Sequence, residues 1–241
     1  MIPAKEREQN WLWLTTPIAI LIFVAAGSGL FVQDLYNASS IFVAGLAIGT
    51  DLITLFIALP VLVYSAVLTK RGFQRARLIW LGMLVYVAYS YVLTAFMVDF
   101  NYLYLIYIAL LGFSTYALIG GLITTDLEAV KSGFAEDTPV KLMSTFFGAV
   151  VIAFYIFWLA DIIHSHITND LPRMIKWAEI PSHGYYVLDL ALLFPALGLT
   201  AYWLWLEQPI GYTLAGTLLT FLGIETLAIV SGMLYVAYRG Y

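Results

Sequence analysis

Residues 42–68 read FVAGLAIGTDLITLFIALPVLVYSAVL, and the only charged residue among them is Asp51. A helix rises about 1.5 Å per residue, so roughly 20 apolar residues cross the hydrocarbon core of a bilayer. This stretch exceeds that length. Similar runs lie on both sides of it, near 11–32, 78–98, 102–124, 142–163, 185–206 and 212–236. Residues 1–241 therefore read as a single transmembrane domain. The fold class is all-α: a polytopic membrane helix bundle of about seven transmembrane helices.

Composition agrees. The chain is 62% hydrophobic and 11% charged, whereas soluble domains carry about 25% charged residues. Too few charges remain to cover a water-facing surface, so the lipid bilayer is the first expected partner. The run from Trp11 to Val32 is too long for a signal-peptide core and reads as the first span.

Connections are short where they can be read. Asp99-Phe100-Asn101 joins the third and fourth spans, and Glu207-Gln208-Pro209 joins the sixth and seventh. Short links of this kind join antiparallel neighbours. Lys5, Arg7, Lys70, Arg71, Arg75, Arg77, Lys131 and Lys141 fall on one side, against Arg173, Lys176 and Arg239 on the other. The positive-inside rule then places the amino terminus inside. Between the fifth and sixth spans, Leu171, Met174, Ile175 and Ala178 recur at helical spacing. They predict a short helix in the membrane interface, with Trp177 at headgroup depth. Trp11, Trp13, Trp80, Trp203 and Trp205 are expected as interfacial anchors.

The polar exceptions inside the spans mark the candidate site. Carboxyl groups are expensive in hydrocarbon and turn inward. Asp51 is expected roughly 14 Å deep, Asp189 roughly 6 Å deep, and Glu225 near the middle of the last span. Tyr86, Ser90 and Thr94 share one face of the third span; Thr213, Thr217 and Glu225 share one face of the seventh. Asp51, Glu225, Tyr86, Ser90 and Asp189 thus form the candidate ligand- and proton-binding set, expected around an outward-opening polar cavity. A second candidate is a metal set. Asp161 and His164 are three residues apart on one helix face, with His166 next in line and Glu179 or His183 across the loop. Two backbone features accompany the acids. Pro60 and Pro195 are each expected to kink the span that carries an embedded Asp. Gly45-Leu46-Ala47-Ile48-Gly49, a GxxxG pattern, would allow close approach of another helix.

Several functions are excluded. No basic patch points to nucleic acid. With no cysteine there is no thiolate-ligated cluster. All five lysines lie in tails or loops, so none can form a retinal Schiff base. The three histidines, His164, His166 and His183, sit in one loop region, which argues against a transmembrane haem. The segments Gln9–Leu14, Asp51–Leu55 with Leu59-Pro60, Arg77–Gly82 and Gln208–Tyr212 resemble a group of uncharacterised prokaryotic multi-pass membrane proteins. That resemblance implies a bacterial or archaeal cell membrane and no particular activity.

The leading expectation is a small-molecule or proton-coupled transporter, or a ligand sensor, with Asp51 and Glu225 exchanging protons. The alternatives are a metal-dependent membrane enzyme on the outer face and a structural or assembly partner.

Overall fold

The computed structural model describes residues 11–32 and 34–239. Those residues form helices joined by turns, with no strand among them. Seven helices are long and apolar enough to cross a membrane: Leu12–Phe31, Ile41–Lys70, Gln74–Met97, Tyr104–Ile123, Val140–Thr168, Gly184–Trp205 and Pro209–Tyr238. They are called here the first to seventh spans, and they fall where the apolar runs place them. Lys5 and Arg7, part of the charge count for orientation, lie outside the described residues.

The third span is the centre and the fifth is the periphery. About 61% of the third span's apolar window is buried inside the protein, against 17% for the fifth. The seventh span packs along the second, third and sixth. The first rests on the second and fourth, and the fifth leans on the sixth. The second and seventh spans meet at the GxxxG face. A Cβ on Gly49 would stand 2.1 Å from the backbone nitrogen of Gly232, and one on Gly45 would stand 2.4 Å from Val236. Only glycine permits so close a backbone crossing.

Neither proline ends its helix. A π turn, Thr54–Ala58, precedes Pro60, and a second, Asp189–Leu193, precedes Pro195. A proline lacks the N–H for the bond to residue i−4, and its ring presses on that carbonyl. One wider turn accommodates the ring, and the chain continues as helix through each proline. The wider turn also frees carbonyls. Leu190, the residue to which a π-type bond from position 195 would run, instead accepts from Tyr155 Oη at 3.1 Å.

Two residues depart from the sequence reading. Trp80 is not an interfacial anchor. It is 1% exposed and donates through Nε1 to Thr15 Oγ1 at 2.9 Å, tying the third span to the first. Arg77 is not a loop charge. The third span begins at Gln74, and Arg77 is buried within its first turn. Its guanidinium donates to Thr125 Oγ1 (2.7 Å), Thr124 Oγ1 (2.8 Å) and the Gly121 carbonyl (3.0 Å). A cation there satisfies the open carbonyl end of the fourth span.

The segment between the fifth and sixth spans folds back over one end of the bundle. Its short helix, Arg173–Ala178, buries Ala178 and packs Met174 and Ile175 against the core, while Trp177 lies against Phe42 at 5.8 Å. Part of its apolar face therefore meets protein, while Trp177 and Leu171 stay exposed.

Candidate functional site

The second span presents Asp51 just ahead of its π turn. The carboxyl is 6% exposed and accepts from Tyr36 Oη at 2.5 Å. Gly29 of the first span makes the room, since a Cβ there would stand 1.8 Å from Asp51 Oδ2. Tyr36 lies in the connection ahead of this span. Burial, and then the neighbouring Asp51, push its phenol well above the ordinary range, so it remains a donor. Thr54 opens the π turn and shares a 2.7 Å hydrogen bond with Tyr86 Oη of the third span. Asp51 and Tyr86 are thus each tied to a hydroxyl.

Asp189 opens the other π turn. Tyr89 Oη of the third span donates to its Oδ1 at 2.6 Å, and Trp158 Nε1 of the fifth donates to its Oδ2 at 2.8 Å. Each carboxyl oxygen has a fixed donor. Glu225 differs. It is buried in the middle of the seventh span, and its Oε2 has no hydrogen-bond partner among the described residues. Ser90, whose hydroxyl neighbours that of Tyr86, and Glu225 both line a small cavity of about 30 Å³ between the second, third and seventh spans.

Glu225 also lines a larger cavity, of about 250 Å³, together with Asp189. The sixth span contributes Leu193, Phe194 and Leu197; the fifth contributes Val150, Phe154 and Trp158; and Met174 comes from the segment folded over the end. The exposed members of the lining are Phe154 of the fifth span and Thr226, Ile229 and Met233 of the seventh. The exposed part of the lining is therefore lateral, between these two spans.

His183 lines this cavity too, just ahead of the sixth span. It is 1% exposed, and neither ring nitrogen has a partner among the described residues. Phe42, Tyr185 and Tyr186 surround it at ring distances of 6.4, 5.4 and 5.6 Å. Burial pushes its pKa down to about 4, so the imidazole is neutral near pH 7 and offers one donor and one acceptor. The unfolded chain takes up this proton near pH 6.5 and the folded protein only near 4, so stability falls as pH drops across that window. His183→Phe is expected to flatten that part of the profile and to raise stability at pH 5. Thermal unfolding from pH 7 to pH 4 reads both effects, and an unchanged acid slope would contradict the assignment.

The metal candidates go elsewhere. Asp161 is 7% exposed and accepts from the Arg173 backbone N–H and Nε, both at 3.1 Å, and from Tyr186 Oη. The fifth span continues as helix to Thr168, carrying His164 and His166 on exposed surface. Among the described residues no group of three His, Cys, Asp or Glu side chains is placed to hold a metal ion. The Asp161–Arg173 pair instead pins the segment that folds over the cavity.

The structure therefore brings Asp189, Glu225 and His183 to one cavity and Ser90 to its small neighbour, while Asp51 and Tyr86 line neither. Sequence reasoning passed over Tyr36, Tyr89 and Trp158, the donors to the buried acids. Tyr89 was within reach, because it stands three residues after Tyr86 and one before Ser90 on the same helix. Nothing in the spacing of Tyr36 or Trp158 pairs them with an acid. No family model, curated protein or solved structure matches the chain.

Proposed function

We propose that this polytopic membrane protein is a carrier or sensor of a small, largely apolar molecule held in the cavity beside Glu225. The amino terminus faces the cytoplasm of a prokaryotic cell, and Glu225 is the proton-exchanging group. One observation carries the reading. Glu225 Oε2 and both nitrogens of His183 are buried without partners among the described residues, and both residues face the same void. Leaving a buried polar atom unsatisfied costs roughly 1–3 kcal/mol. A fold that leaves several around one cavity fits a ligand that completes them. The lateral opening supports entry from the bilayer. The lysine and arginine distribution supports the orientation. Asp51 serves as a buried polar anchor between the first and second spans.

Thr226→Phe tests the reading. It places an aromatic ring at the mouth of the cavity, in a position exposed enough to accept it. Wild-type protein taken from its native membrane in polymer nanodiscs is expected to carry a small molecule in near-stoichiometric amount, and the variant to carry none. Mass spectrometry of solvent extracts compares the two. Equal small-molecule content in both would remove the reading.

A further inference from the structure

The charge balance of the 250 Å³ cavity is one-sided. Two carboxyl groups, Asp189 and Glu225, line it, and among the described residues no lysine or arginine does. An anionic ligand would meet repulsion with nothing to offset it. A cation would meet compensating charge, without which its burial is prohibitive. The lining is also aromatic: Tyr89, Trp158, Tyr185, Phe194 and Phe221 all contribute. Ring faces attract a desolvated ammonium by about 2 kcal/mol or more.

The hydrogen-bonding capacity agrees. An ammonium only donates, so its site must supply acceptors. Asp189 already has a donor on each oxygen. Glu225 Oε2 is bare, and neutral His183 adds an unused imidazole lone pair. The volume is below the 300–1,000 Å³ typical of pockets for drug-sized ligands, so the molecule is small. The lateral mouth and apolar lining ask for an apolar body that partitions into lipid.

We infer that the cavity binds a small lipophilic amine as its ammonium ion, with the charged nitrogen at Glu225 and the apolar body among the aromatic rings. The inference rests on the reading of the cavity as a binding site. The ammonium–carboxylate and amine–carboxylic acid forms of the pair hold the same single proton, so an ammonium that meets a protonated Glu225 displaces that carboxyl's proton to water.

The test uses three probes on one skeleton: 3-phenylpropylamine, 3-phenylpropan-1-ol and 3-phenylpropanoate. Each is titrated calorimetrically into the protein in nanodiscs, with empty nanodiscs subtracting partition into lipid. The amine is expected to saturate one site and to bind at least ~10-fold tighter than the alcohol, with the carboxylate weaker still. Glu225→Gln is expected to erase the amine's advantage and leave the alcohol's affinity in place. Should that variant not fold, the order of the three probes on the wild type still decides. An alcohol or carboxylate that binds as tightly as the amine, and is blocked by Thr226→Phe, overturns the amine and leaves the site standing. Failure of all three to saturate the wild type overturns both.

Discussion

Gly49→Ala is expected to cost about 3 kcal/mol, the upper end of the range for overpacking a tight contact. The added Cβ would stand 2.1 Å from the nitrogen of Gly232, 2.3 Å from its Cα and 2.8 Å from the carbonyl carbon of Ser231. All three are backbone atoms, so no rotamer change relieves the clash. Carbon contacts settle near 3.5–4 Å, so the second and seventh spans must part by something on the order of 1.5 Å. Neighbouring contacts would loosen with them, including Gly45 on Val236 and Gly232 on Leu46. Alanine is otherwise the better helix former by almost 1 kcal/mol, which makes a net loss the more telling. Gly27→Ala is the control, because nothing lies within 4 Å of its Cβ position. Thermal unfolding in detergent compares them. Gly49→Ala melting with the wild type would show that the two helices do not cross as described.

The second span's half of that contact was legible in the sequence, though not its partner, and the reason is physical. A GxxxG pattern removes side chains from one stripe of a helix, and something must fill the groove. The seven spans were legible for a similar reason, since lipid solvates only long apolar helices with satisfied backbones. Asp189, Glu225 and Ser90 were legible as inward-facing polar groups. What the sequence left open was which of them share a space. The depth of Asp51 along its own helix says nothing of azimuth, and the structure turns it toward Gly29 and Tyr36, where it closes a hydrogen bond. The histidines misled for another reason. Proximity in sequence grouped Asp161, His164 and His166, but the fifth span continues as helix to Thr168. Asp161 then meets Arg173, while His164 and His166 stay exposed. His183 sits next to no other acid or base in sequence, and only tertiary packing carries it to the cavity. The π turns had no visible signal beyond the prolines, which predict disruption without specifying how the chain absorbs it.

The two cavity acids should respond oppositely to removal of their carboxyl groups. Asp189→Leu is expected to cost about 3 kcal/mol, because it leaves Tyr89 Oη and Trp158 Nε1 buried with no acceptor, each roughly a 1–3 kcal/mol penalty. Asp189→Asn keeps an acceptor and should fall between that and the wild type. Glu225→Leu is expected to leave stability unchanged or raise it, because the Oε2 it removes has no partner to lose. Unfolding midpoints of the three variants in one detergent would read the contrast. The difference separates two roles for an embedded acid. Asp189 has one of the protein's own donors on each oxygen and serves to hold the third, fifth and sixth spans together. Glu225 is carried at a cost, and a residue whose loss stabilises the fold is retained for something other than the fold. Equal destabilisation by Asp189→Leu and Glu225→Leu would erase that distinction, and Glu225 would then be one more interhelical tie with no site to serve.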